Sequence, residues 1–308
     1  MISRSNKGMH HAMHLTTRAL SVLLGSMLSA GSVQADGDLP SKFSGQGTIG
    51  NTRHNMTQRP NSGSGPAAEM MDFVRNDYNE ICVYCHTPHA ANTTIAAPLW
   101  NRVVRATTYT LYNQQTLSGE TTQPGPNSLT CLSCHDGQTA IDSIVNMPGT
   151  GPDRYWTDMA TSPSNTFLNG WPKSARAVVD ATSHNSLSKT GCLSCHNPGT
   201  EIGAPDFSAA AIGTDLSNDH PVGVKLPSGS DWNVPGGIRG NMKYFDRDGN
   251  NRPSKDEIRF FDSGQGYEVE CASCHDPHGV PGTGGTFLPT FLRVTADGSQ
   301  ICLTCHVK

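Results

Sequence analysis

The 308-residue chain contains ten cysteines, and all ten fall in five copies of one pattern, Cys-x-x-Cys-His. The copies are Cys82-Cys85-His86, Cys131-Cys134-His135, Cys192-Cys195-His196, Cys271-Cys274-His275 and Cys302-Cys305-His306. Two thiols three residues apart, followed at once by an imidazole, suit one chemistry well. The thiols form thioether bonds to the vinyl groups of a haem, and the histidine comes under the iron. Other chemistries explain the pattern less well. Disulfides do not need a histidine after every pair. Zinc takes Cys-x-x-Cys, but its tetrahedral shell does not require an adjacent histidine five times over. A thioredoxin-like redox pair is expected once, beside a βαβ pattern that this chain lacks. The count predicts five covalently bound c-type haems.

The 13 histidines sort in the same way. Five are the proximal ligands just named, and His10, His11 and His14 lie in a leader segment. His54, His89, His184, His220 and His278 remain, one for the distal position of each of five irons. Methionine is the rival distal ligand, with Met56, Met70, Met71, Met147, Met159 and Met242 outside the leader. It would raise a potential that paired histidines keep low. If both axial positions are filled, no iron is open to a small substrate. A multihaem reductase with one open haem is therefore the weaker reading, and no catalytic residue is assigned. Electron transfer needs no open position. In "CVYCHTPH" (82–89), and again at His278, the second histidine is too close in sequence to reach round the haem of its own motif. Both are expected on a haem packed alongside.

A separate set of oxygen donors begins at Asp246. Asp246, Asp248, Asn250, Ser254 and Glu257 fall at positions 1, 3, 5, 9 and 12 of a calcium loop of EF-hand type. Asn251 replaces the usual glycine at position 6, and Pro253 stands where an apolar residue is normal. The alternative is a polar surface turn.

Residues 1–35 read as a signal peptide: Arg4, Lys7 and Arg18 precede or flank an apolar run from Ala19 to Ala30, and small residues end it at Val33-Gln34-Ala35. An uncleaved anchor is the alternative, but the run is short for a span and is broken by Gly25. Removing the leader takes Lys plus Arg from 22 to 19 against 26 acidic residues, a net charge of −7. Such a surface excludes nucleic acid as an expected partner. The protein is expected to be exported, to the cell surface or the periplasm, and to serve another redox protein or an extracellular acceptor.

The composition is poor in core material. Only 35% of residues are hydrophobic and 6% aromatic, against 32 glycines and 20 prolines. Either the chain is largely disordered or something other than side chains fills its interior. Five haems, each served by about 55 residues, answer this and must share walls. The expected fold is mostly irregular coil with short α-helices and little β, wrapped around a closely packed chain of haems in a single domain, 36–308. Helices are expected over Met70–Cys85 and Leu129–His135. Loops are expected at Thr121–Ser128, Asn146–Pro152 and Val280–Gly285, and a hairpin from Glu257–Phe261 and Tyr267–Cys271. Motif spacings of 49, 61, 79 and 31 residues show no fixed repeat, although the first and fourth motifs resemble each other, as do the second and third.

"RHNM" (53–56), "CVYCHTPHAA" (82–91), "APLWNR" (97–102), "CLSCHDG" (131–137), "GTDLSNDHPVG" (213–223) and "VECASCHDPHG" (269–279) resemble multihaem c-type cytochromes with paired CxxCH motifs from metal-reducing bacteria. The resemblance implies an electron-transfer protein. Some members of that group polymerise into extracellular filaments, in which bis-histidine haems run through stacked subunits. An axial histidine near the N-terminus can there be given to a neighbouring subunit, and His54 is the candidate here. Soluble periplasmic relatives share the motifs, so a monomeric shuttle is the other form the resemblance allows.

Overall fold

Cysteines at i and i+3 share one face of a helical turn, and a histidine at i+4 stacks over the first of them. The computed structural model describes residues 44–56, 80–117, 119–146, 185–199 and 206–307, and it shows this turn at every motif. The histidine N–H donates to the carbonyl of the first cysteine at 2.7 Å for His86, 2.9 Å for His196, 3.1 Å for His275 and 2.9 Å for His306. The second motif lies in a longer helix, α1 (Pro126–His135). The fourth and fifth lie on α2 (Cys271–Cys274) and α3 (Gln300–Cys305). The first and third are single 3-10 turns, Cys82–Tyr84 and Cys192–Ser194.

The elements depart from the expected boundaries for local reasons. Helix α1 starts three residues before Leu129, inside the expected loop. Pro126 occupies its first turn, where a missing N–H costs nothing and the fixed φ suits the helix. The described end of the Met70–Cys85 helix is one 3-10 turn. The chain leaves it because Cys85 O is taken by Asn101 N and His86 pairs with Trp100 in a β-bridge. Residues 70–79 lie outside the described part, as does the loop beyond Asn146 as far as Pro152. Within Val280–Gly285, Thr283–Gly285 forms a 3-10 turn rather than open loop.

The hairpin forms, as β4 (Arg259–Asp262) and β5 (Tyr267–Val269), paired Phe261 to Glu268 and Asp262 to Tyr267. It belongs to a larger unit than expected. With β1 (Val224–Lys225), β2 (Gly237–Arg239) and β3 (Met242–Tyr244) it makes an antiparallel sheet in the order β1-β5-β4-β3-β2. Strand β5 runs directly into α2, so the sheet is the platform on which the fourth motif stands.

Among the described residues helices are few, the sheet is small, and the rest is mostly coil. The buried side chains divide evenly between apolar and polar. About half of the apolar ones gather in three small clusters, each beside a motif. Val83, Tyr84 and Ile144 lie behind the first, and Tyr109, Leu132 and Leu216 behind the second. Ile258, Phe260 and Val294, with Cys274 and Cys305 against them, lie behind the fourth and fifth. No described helix is long and apolar enough to cross a membrane.

Candidate haem sites

Each motif exposes carbonyls along its turn, and one polar residue outside the pattern caps them. For the first motif this is Asn101, whose Nδ2 donates to Val83 O at 2.6 Å while its N donates to Cys85 O at 2.9 Å. For the second it is Arg102, which is fully buried. Its guanidinium donates to Ser133 Oγ at 3.1 Å, Ser133 O at 2.8 Å, Ile141 O at 2.7 Å and Ala140 O at 2.9 Å. Asn197 Nδ2 donates to Leu193 O at 2.7 Å in the third motif. Arg293 donates to Ala272 O at 3.0 Å and, through its backbone, to Cys274 O at 2.7 Å in the fourth. Asn233 donates to Leu303 O at 3.0 Å, Thr304 O at 3.2 Å and Cys305 O at 2.8 Å in the fifth. None of the five is expected from the motif spacing. Only Asn101–Arg102 carried a signal, as two polar residues directly after the apolar Leu99-Trp100.

Helices α1 and α2 are tied by a second polar knot. Glu270 takes Gly125 N at 2.9 Å and the Ser128 hydroxyl, and Cys271 N donates to Ser128 Oγ at 2.8 Å. Burial outweighs these hydrogen bonds and pushes the Glu270 carboxyl up to about 7.

The ten thiols are free of disulfides. Burial pushes Cys85 and Cys305 up to about 12 and Cys274 to about 11, so at neutral pH they are thiols. A thiol–disulfide exchange nucleophile needs the thiolate, which these three do not supply. Nor do they converge on a tetrahedral site. Among the described residues, the one group of three or more His, Cys, Asp or Glu close enough to share an ion lies elsewhere, at Asp246. The motifs do adjoin one another. Cys85 feels Cys134, Cys131 lies against Cys271, and Cys274 feels Cys302, which orders the motifs first, second, fourth, fifth.

The histidines supply the test of fit for iron. An imidazole nitrogen binds a transition metal at about 2 Å with its ring centre about 1 Å behind, so two trans imidazoles on one iron hold their centres roughly 6 Å apart. His86 and His278 have ring centres 6.3 Å apart with planes at 11°. His135 and His54 have centres 6.2 Å apart with planes at 79°. In each pair one member is a CxxCH histidine and the other comes from a distant segment. The second nitrogens agree. His86 Nδ1 meets Pro98 O at 2.8 Å, His135 Nδ1 meets Ala210 O at 2.6 Å, His275 Nδ1 meets Thr290 O at 2.7 Å and His54 Nδ1 meets Pro277 O at 3.1 Å. A carbonyl only accepts, so Nδ1 carries the proton and Nε2 keeps its lone pair for a metal. Burial also lowers His54 to about 4, which keeps it neutral. Trp100, edge-on to His86, has a buried Nε1–H with no acceptor, a donor available to a haem carboxylate.

The remaining expected ligands are placed less fully. His220 lies within electrostatic reach of His306, and His89 is exposed. His196 stacks on Phe207 with ring centres 3.9 Å apart. His184 lies outside the described residues, as do Met70, Met71, Met147 and Met159. Met56 packs on the first apolar cluster and Met242 pairs with Phe261 in the sheet, so packing accounts for both.

At the acidic loop, Asp246, Asp248 and Glu257 each bring one oxygen within 4.8 Å of the others. Asn251 has φ +57°, the left-handed backbone that position 6 requires, and Asp246 Oδ1 is buried without a partner. Much of the donor set is engaged inside the loop. Asn250 Nδ2 donates to Asp248 Oδ2 at 2.7 Å and Ser254 Oγ at 2.9 Å, and Glu257 takes Arg247 N at 2.6 Å and Ser254 N at 2.8 Å.

The family model described as the doubled CXXCH motif matches residues 265–308, which hold the fourth and fifth motifs. No curated protein matches the chain. The family match supports c-type haem-binding motifs with haem attached covalently through the cysteines, and so a cytochrome suited to electron transfer.

Proposed function

We propose that the protein is an exported pentahaem c-type cytochrome that passes electrons along a row of bis-histidine haems. The observation that carries this reading is the pairing of His86 with His278 and of His135 with His54 at 6.3 and 6.2 Å, the separation of two imidazoles on one iron. When bound, the haem supplies the one-electron chemistry. The chain supplies ten thioether sulfurs, Nδ1 contacts that fix ring orientation, and polar side chains that fix motif against motif. Mass spectrometry of the mature chain should count five haems and a cleaved leader. Low-temperature EPR of the oxidised protein should show low-spin iron throughout, and a high-spin haem sinks the bis-histidine reading.

A homopolymer with His54 given to a neighbouring subunit is a form of the same reading. The in-chain approach of His54 to His135 favours a self-contained subunit over it. Fibres on cells or from purified protein, lost on His54→Ala, would restore it. The Asp246–Glu257 loop would in addition take calcium, with the clustered carboxylates in support. Calcium should then raise the unfolding midpoint and chelator lower it. No effect of either leaves a polar turn.

A further inference from the structure

The histidine contacts differ in one respect. His86, His135, His275 and His54 each meet a neutral backbone carbonyl through Nδ1. His278 Nδ1 instead meets a carboxylate, Asp276 Oδ1, at 3.0 Å. The same oxygen accepts His278 N at 3.0 Å, so the carboxylate is locked to its own loop. Asp276 is only 8% exposed, and its other oxygen takes Arg293 Nη1 at 3.3 Å. Arg293 is itself held by Ala272 O and Lys255 O, so the carboxylate cannot swing away.

A carboxylate pulling on Nδ1–H shifts negative charge onto the imidazole, and a more basic imidazole stabilises ferric over ferrous iron. The guanidinium on the far oxygen tempers this without cancelling it, because it lies beyond the carboxylate as seen from His278. An iron held by His135 and His54 would have backbone carbonyls behind both imidazoles and no carboxylate in that place.

Resting on the bis-histidine reading above, we propose that Asp276 tunes the haem shared by His86 and His278 to a lower potential than the haem shared by His135 and His54, so that an electron passes downhill from the first motif's haem to the second's. With haem bound, the step would be a single electron, the first haem being oxidised from ferrous to ferric as the second is reduced from ferric to ferrous, with no proton moved. Asp276 is a positioning residue that acts through His278.

The test is Asp276→Asn in the haem-loaded protein, read by spectroelectrochemical titration and EPR. Asparagine keeps an oxygen to accept from His278 and loses the charge. One haem should become easier to reduce by tenfold or more, about 59 mV for one electron, with every haem still low-spin. Unchanged midpoints with intact low-spin spectra overturn the proposal and leave the bis-histidine reading standing. A new high-spin iron in the variant also overturns it, because Asp276 then holds His278 in place and does not tune it. Near-infrared magnetic circular dichroism of the wild type needs no variant. One haem should show its charge-transfer band at higher energy than the others, and a uniform band overturns the proposal. Failure of the underlying reading is distinct, since it shows as high-spin iron in the wild type.

Discussion

Replacing Arg102 by methionine keeps the bulk of the side chain and removes its donors. In the folded protein the guanidinium serves Ser133 O, Ile141 O, Ala140 O and Ser133 Oγ. Ala140 O keeps a bond from Ser143 N at 3.1 Å. Two buried carbonyls, Ser133 O and Ile141 O, therefore lose their donor. Each orphaned carbonyl costs about 1–3 kcal/mol, and the saving from not burying a charge offsets part of the sum. The expected loss is about 3 kcal/mol, or roughly 10 °C in midpoint for a chain of this size. Lysine keeps the charge but lacks the planar fork, and should recover about half of it. Denaturant unfolding of the haem-loaded protein by far-UV circular dichroism measures this. A methionine variant within about 1 kcal/mol of wild type refutes the role given to Arg102.

Three further outcomes follow from the geometry. The near-parallel rings of His86 and His278 and the near-perpendicular rings of His135 and His54 should give two different low-spin EPR signals, one rhombic and one strongly anisotropic, and identical signals would contradict the pairing. Glu270 is raised from 4.5 to about 7, so the folded state holds a proton that the unfolded state has lost. Its stabilising effect is complete below pH 4.5 and is lost as pH rises through about 7. Glu270→Gln should flatten that part of the pH profile of stability, and superimposable profiles would show that Glu270 does not set it. Gly223 has φ +68°, and an added Cβ would lie 2.2 Å from Thr122 O, so Gly223→Ala should cost about 2–3 kcal/mol in thermal or denaturant unfolding. A neutral outcome would mean the Thr122–Gly223 crossing gives way easily.

The covalent chemistry was legible because its spacing is rigid. Cys-x-x-Cys-His can close only one turn, and five copies repeat it. The hairpin at β4 and β5 was legible for a similar reason, since Asp262 to Gly266 carries its turn in the sequence. What escaped notice was set by tertiary contacts. The placement of β1 beside β5, and the capping of motif carbonyls by Asn233 and Arg293, depend on residues far apart in the chain. The sequence places a carboxylate between two histidines in "CHDPH", but only the distance to His278 Nδ1 shows which imidazole it serves. The start of α1 departs from the expected loop because Pro126 suits a loop and the first turn of a helix alike.

Asn101 and Arg102 are neighbours, and each is pinned to a different motif. Their Cα atoms are joined by one planar peptide and stand about 3.8 Å apart. A change in the gap between the first two motifs must break buried hydrogen bonds, because that peptide cannot stretch. Electron tunnelling falls off exponentially with distance, so thermal jitter in the gap between donor and acceptor would scatter the transfer rate. A single peptide unit used as a spacer keeps that jitter small, and on the function proposed above it would hold the transfer between the first two motifs' haems to a narrow spread of rates.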